Sequence, residues 1–123
     1  MLTKAAAGRF VMDCMAARTD AHLLHLQTRS YAQHIALQEF YDGLVDLVDR
    51  FAETYMGMEG VFASFPAPGG SGRPADPKAL IDAFLAKVQA VRRQCDDTPA
   101  CANVLDDVLT LTYATRYKLM TLK

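Results

Sequence analysis

Basic residues are in no excess over acidic ones: 13 Lys and Arg stand against 14 Asp and Glu, for a net charge of −1. Nucleic-acid binding normally shows as a basic surplus gathered on one face, and the scattered Lys and Arg here argue against it. No apolar run approaches the roughly 20 residues needed to cross a bilayer. The opening segment MLTKAAAGRF has no apolar stretch followed by a cleavage site, so a cytoplasmic protein without a membrane partner is expected. Three cysteines, Cys14, Cys95 and Cys101, form no zinc-ligand pattern. Cys14 falls on an apolar helix face and reads as a small core residue. Cys95 and Cys101 flank a short predicted turn, where they read as two reduced thiols in the cytosol or, under oxidation, as a disulfide. Strand signals are missing throughout. What is present is ordinary for one globular domain: 123 residues, 51% hydrophobic and 22% charged, which excludes disorder.

Helical periodicity fills the rest. Ala7, Phe10, Val11, Cys14, Ala17, Ala21 and Leu24 return at three- and four-residue steps, predicting helix A over about 3–27. Thr28-Arg29-Ser30 interrupts it. Ser30 with Gln33 has capping-box spacing, and a second stripe of Leu37, Phe40, Tyr41, Leu44, Leu47, Val48, Phe51 and Tyr55 predicts helix B over about 31–56. Gly57 reads as its stop. Residues 57–76 hold most of the Gly and Pro and cannot form a regular helix. Asp76 as N-cap and Pro77 in the first turn open helix C, about 77–95, with Ile81, Phe84, Leu85, Val88 and Val91 inward. Thr98-Pro99 restarts the chain as helix D, about 99–121, with Val104, Leu105, Val108, Leu111, Thr112, Thr115 and Leu119 inward.

Connection lengths carry the topology. Links of about three residues make A–B and C–D antiparallel hairpins, while the long B–C link can run the length of a bundle. The expected fold class is therefore all-α, a ferritin-like four-helix bundle of two antiparallel hairpins joined by a long B–C crossover. A plain up-down bundle with one loose loop is the alternative. Val61, Phe62 and Phe65 in the link predict that it packs on something.

Helix B carries the unusual chemistry. Asp42, Asp46, Asp49 and Glu53 recur at steps of four, three and four along one face, with Glu39 beside them and Arg50 the one base among residues 34–53. A solvated outer face explains such a stripe. The three histidines His22, His25 and His34 are then gathered at the A–B corner, and imidazole with carboxylate is a ligand set for iron and zinc. His34 lies roughly 22 Å along the helix from Asp49 at about 1.5 Å per residue, so within one chain they cannot share an ion. Two copies of helix B running antiparallel about a two-fold axis would bring them together, and Gly43 near the midpoint would permit a close crossing.

The run from His25-Leu-Gln-Thr-Arg-Ser-Tyr-Ala-Gln-His34 to Asp49-Arg-Phe-Ala-Glu53 resembles the ferroxidase region of Dps-like ferritins, and looks closest to a bacteriophage branch of that superfamily. The resemblance implies a metal site of His25, His34, Asp49 and Glu53, with His22 in place of His25 as the alternative. It implies iron as a mono- or di-iron centre (zinc able to substitute), a homo-oligomer with a two-fold helix B interface, and ferroxidase activity in a bacterial or phage-infected cell. The tryptophan that follows the family's first histidine is Leu26 here, the lysine-rich DNA-holding tail is absent, and the link lacks the family's small helix. A non-catalytic helical structural or interaction module, phage-encoded and keeping the bundle without the metal chemistry, is the second expectation.

Overall fold

The structure is a computed structural model in which residues 1–67, 74 and 76–123 are described. Four helices follow in order, α1 Lys4–Gln27, α2 Tyr31–Glu59, α3 Pro77–Arg93 and α4 Pro99–Thr121, and no strand occurs among the described residues. The all-α four-helix bundle read from periodicity is the observed fold. The apolar stripes meet in one core with Phe10, Phe40, Phe51, Leu37, Leu44, Ile81 and Leu105 fully enclosed. Each helix starts as its sequence prescribes: Thr3 accepts from the Ala6 N–H, Ser30 from Gln33 and Asp76 from Lys78, while Pro99 occupies the first turn of α4.

Helix α1 packs on α2 and α3, and α4 packs on the same two, so α1/α4 and α2/α3 are the diagonals of the bundle. Exposed ion pairs report the directions. Arg50 meets Asp107 at 3.1 Å and Glu39 meets Lys118, which makes α2 and α4 antiparallel. Arg116–Asp82 and Arg92–Asp106, both 2.8 Å, make α3 and α4 antiparallel. Each such pair contributes at most about 1 kcal/mol, so they record register rather than hold the bundle together. It follows that α2 and α3 are parallel, and the link must return from the lower end of α2 to the upper start of α3. That is the crossover topology expected from the connection lengths.

The beginning of the crossover is anchored. Phe62 is buried, stacks on Tyr55 with ring centroids 5.6 Å apart, and lies 3.7 Å from where a Cβ on Gly8 would sit. Phe65 leans on Phe62 at 5.3 Å but stays half exposed, and Val61 points to solvent. Of the three link residues expected to pack, Phe62 is the one that enters the core. The Gly/Pro stretch 68–73 and residue 75 lie outside the described residues.

Two glycines behave differently from their sequence reading. Helix α2 does not stop at Gly57; it runs to Glu59 and ends at Gly60, whose φ of 92° is the left-handed conformation a side chain resists. Gly43 has a reason within this chain, since it faces α4: a Cβ there would stand 3.3 Å from both methyls of Leu111. Its smallness lets α2 and α4 approach within this chain. Gly57 has nothing within 4 Å of its Cβ position. Gly57→Ala is therefore expected to stabilise the protein by about 0.5 kcal/mol through helix propensity. Gly43→Val is expected to destabilise it by about 1–3 kcal/mol through overpacking against Leu111. Paired thermal melts check both signs.

Candidate functional site

The corner between α1 and α2 is built from polar side chains that answer each other's backbones. Thr28 and Ser30 divide the capping work. The Ser30 Oγ accepts from the Gln33 N–H at 3.2 Å, as the capping-box spacing predicts. The Gln33 side chain does not reach back to the Ser30 N–H itself. It accepts from the Thr28 hydroxyl at 2.6 Å, and that hydroxyl accepts the Ser30 N–H at 3.2 Å, so Thr28 relays the second half of the box.

Two histidines then lock the helices together. The Nδ1 of His25 lies 2.7 Å from the His34 carbonyl oxygen, and the Nδ1 of His34 lies 2.8 Å from the His25 carbonyl oxygen. A carbonyl only accepts, so both Nδ1 atoms must carry hydrogen, which fixes the tautomer of each neutral ring. The His25 carbonyl is one of the last four of α1 and has no partner within its own helix, so His34 caps α1 from α2. The two rings stack at 3.6 Å between centroids with 17° between planes. His25 is buried and His34 half-buried.

His22 is drawn elsewhere. It lies exposed on α1 and stacks on Tyr41 at 4.2 Å, and the buried Tyr41 meets His25 edge-on at 5.3 Å. His25 and His34 are thus brought together and His22 is left one ring away. Their grouping in the sequence was legible; the reciprocal bonding and the bridging role of Tyr41 were not, since neither leaves a spacing signature.

Asp49 and Glu53 sit on exposed positions in the second half of α2, far from the corner. Asp49 shares a groove of about 380 Å³ with Cys14, Met15, Arg18, Val45 and Val48. Among the described residues, no three His, Cys, Asp or Glu side chains gather as a metal-holding group. A site of His25, His34, Asp49 and Glu53 therefore has no single-chain form, as the axial separation required. What the corner does fit is the preparation of ligands: Nδ1–H donated to a carbonyl leaves Nε2 as the free lone pair, which is how ligating imidazoles are oriented.

Removing the clasp should be costly out of proportion to its exposure. His34→Phe keeps a flat ring against His25 but deletes the donor that caps α1. A loss of about 1–2 kcal/mol is expected. His22→Ala, at an exposed ring, should cost less than half of that. Chemical denaturation of the two variants side by side checks the ranking, and equal losses would contradict the clasp.

The comparisons with known proteins cover this region. Residues 25–119, from His25 to Leu119, match the family described as "Family of unknown function (DUF5856)". The chain is 32% identical over 105 residues, 85% of its own length and 80% of the relative's, to the "Uncharacterized 14.6 kDa protein in mobD-ri intergenic region" of Enterobacteria phage T4. No solved structure matches. With more than half its length inside one profile and a relative aligned over most of both chains, this protein belongs to the DUF5856 family.

Proposed function

We propose that the protein is a helical association module of the phage-infected cell, which works by pairing with a second copy through the outer face of α1 and α2. The observation that carries this reading is the surface left beside the clasp. Met15 (45% exposed), Leu26 (67%) and Tyr31 (78%) stand out as apolar side chains on an otherwise polar α1–α2 edge. A depression lined by Arg18, Thr19, His22, Leu23 and Leu26 continues the groove that holds Asp49. Arg29 marks the corner and Arg18 the middle of α1 beside Asp49, while Asp42, Asp46, Asp49 and Glu53 mark α2. In an isologous pair the same patch meets itself with its ends exchanged. Head-to-tail pairing therefore sets the basic, histidine-bearing end of one copy against the acidic stripe of the other, with the exposed apolar side chains between them. The phage T4 relative supports the setting.

A second reading rests on the same pairing. The free Nε2 positions at the corner favour a Dps-like metal site in which His25 and His34 of one copy face Asp49 and Glu53 of its mate, holding and oxidising Fe²⁺. The module reading is preferred because the side chains already have structural work. The imidazoles clasp two helices, Arg18 lines the same groove as Asp49, and Glu39 is engaged by Lys118.

Light scattering on the eluting protein tests the pairing, and an anaerobic Fe²⁺ titration separates the two readings. A dimer is expected that weakens with salt, because exposed charges are screened beyond a Debye length of about 8 Å at physiological ionic strength. Leu26→Glu with Tyr31→Asp should give a folded monomer with unchanged helix content, its melting temperature lowered only by the lost pairing. A wild-type monomer at roughly 1 mM, where pairing stronger than about −4 kcal/mol would register, contradicts both readings. Fe²⁺ uptake abolished by Asp49→Ala with Glu53→Ala favours the metal site over the module.

A further inference from the structure

The end of the bundle opposite the histidine corner gathers sulfur. Here the start of α1, the end of α2 and the α3–α4 corner converge on a narrow cleft lined by Leu2, Tyr55, Met58, Glu59, Cys95 and Cys101 among others. The Cys101 Sγ lies 3.9 Å from the Met58 Sδ. Cys95 and Cys101 are each 1% exposed, whereas Met58 is 45% exposed and forms the lip of the cleft. Both thiols are free. The Tyr55 hydroxyl closes the rear by donating to the Leu2 carbonyl at 2.9 Å.

We propose that Cys95, Cys101 and Met58 form a binding site for a thiophilic monovalent cation of the Cu(I) class. The separation of the Cys101 and Met58 sulfurs suits it. Two sulfurs each roughly 2.3 Å from a shared ion stand about 3.8–4.0 Å apart at tetrahedral to trigonal angles. The donor set suits it as well, since thiolate with thioether selects Cu(I) where imidazole and carboxylate select other metals. The apolar walls disfavour hard, hydrated cations. Entry is open at Met58, whose unbranched side chain can swing without disturbing the core.

Without metal the site stays uncharged. Burial pushes both thiols up, with Cys95 raised further by Cys101 and Cys101 raised further by Glu59. Loading replaces two S–H bonds with two S–Cu bonds; both protons leave to solvent, Met58 adds a neutral thioether, and the copper remains Cu(I). Nothing is oxidised. The Arg92 guanidinium favours the charged form of Cys95 and offsets part of the charge that loading creates.

The test is an anaerobic titration of the reduced full chain with Cu(I) held by a chromogenic Cu(I) chelator. One Cu(I) per chain should be drawn from the chelator, with a sulfur-to-copper band in the near ultraviolet. Cys14 lies in the separate α1–α2 groove, so Cys14→Ser should leave the titration unchanged. Cys95→Ser with Cys101→Ser should abolish it. Met58→Leu preserves apolar volume and both thiols, so it decides the matter even if the double variant fails to fold. It should weaken binding at least roughly tenfold, the loss that even outer-shell changes produce at metal sites. Equimolar Zn²⁺ should not displace the copper. Copper left entirely on the chelator, binding retained in the double variant, unchanged affinity in Met58→Leu, or displacement by Zn²⁺ would each overturn the proposal.

Discussion

The reciprocal pair of hydrogen bonds between His25 and His34 is the constraint on which the functional end of the molecule depends. A helix ends with carbonyls it cannot satisfy, and a tight three-residue corner leaves little room for water to do so. By placing one imidazole on each helix and crossing their Nδ1–H donors, the chain satisfies the orphan His25 carbonyl of α1, adds a bond to the His34 carbonyl of α2 and stacks two flat rings in the gap. That fixes how α1 leaves and how α2 enters. The orientation of the α1–α2 face, with its exposed Met15, Leu26 and Tyr31, follows from that corner.

The far end of the bundle is organised by apolar contact instead. Tyr55 ties to the Leu2 carbonyl, Phe62 stacks on Tyr55, and the crossover starts from there across the first turns of α1. The burial that raises the Cys95 and Cys101 thiols comes from the cleft they share, where Cys101 stands 3.9 Å from the Met58 sulfur. One pole therefore presents nitrogen donors committed to the backbone, and the other presents sulfur, with the Cys101 thiol donating to Met58.

Most of the fold was legible because it rests on periodicity and on chain length. Every residue assigned to the α1 stripe is buried, and Leu37, Phe40, Tyr41, Leu44, Val48, Phe51 and Tyr55 of α2 follow suit. The short and long links determined which helices run antiparallel. What escaped sequence reading depends on direction in space. Gly57 looked like a helix stop, but α2 runs on to Gly60, the glycine that takes positive φ. Gly43 looked like room for a neighbouring copy, but the side that faces Leu111 is settled by how α4 sits. The histidines were correctly grouped, but their reciprocal bonds to each other's backbone, which use Nδ1 and leave Nε2 open, left no trace in the spacing. Met58 was invisible as a partner for Cys101 because 43 residues separate them in sequence.

The tautomers of the corner histidines test the central claim most directly. Long-range proton–nitrogen correlation in solution reads which ring nitrogen carries hydrogen. The expected result is Nδ1–H with a bare Nε2 for both His25 and His34, the two Nδ1 protons shifted as hydrogen-bonded protons are and slow to exchange. Nε2–H tautomers, or rings in free exchange like the exposed His22, would show that no clasp exists and that α1 and α2 are set by packing alone.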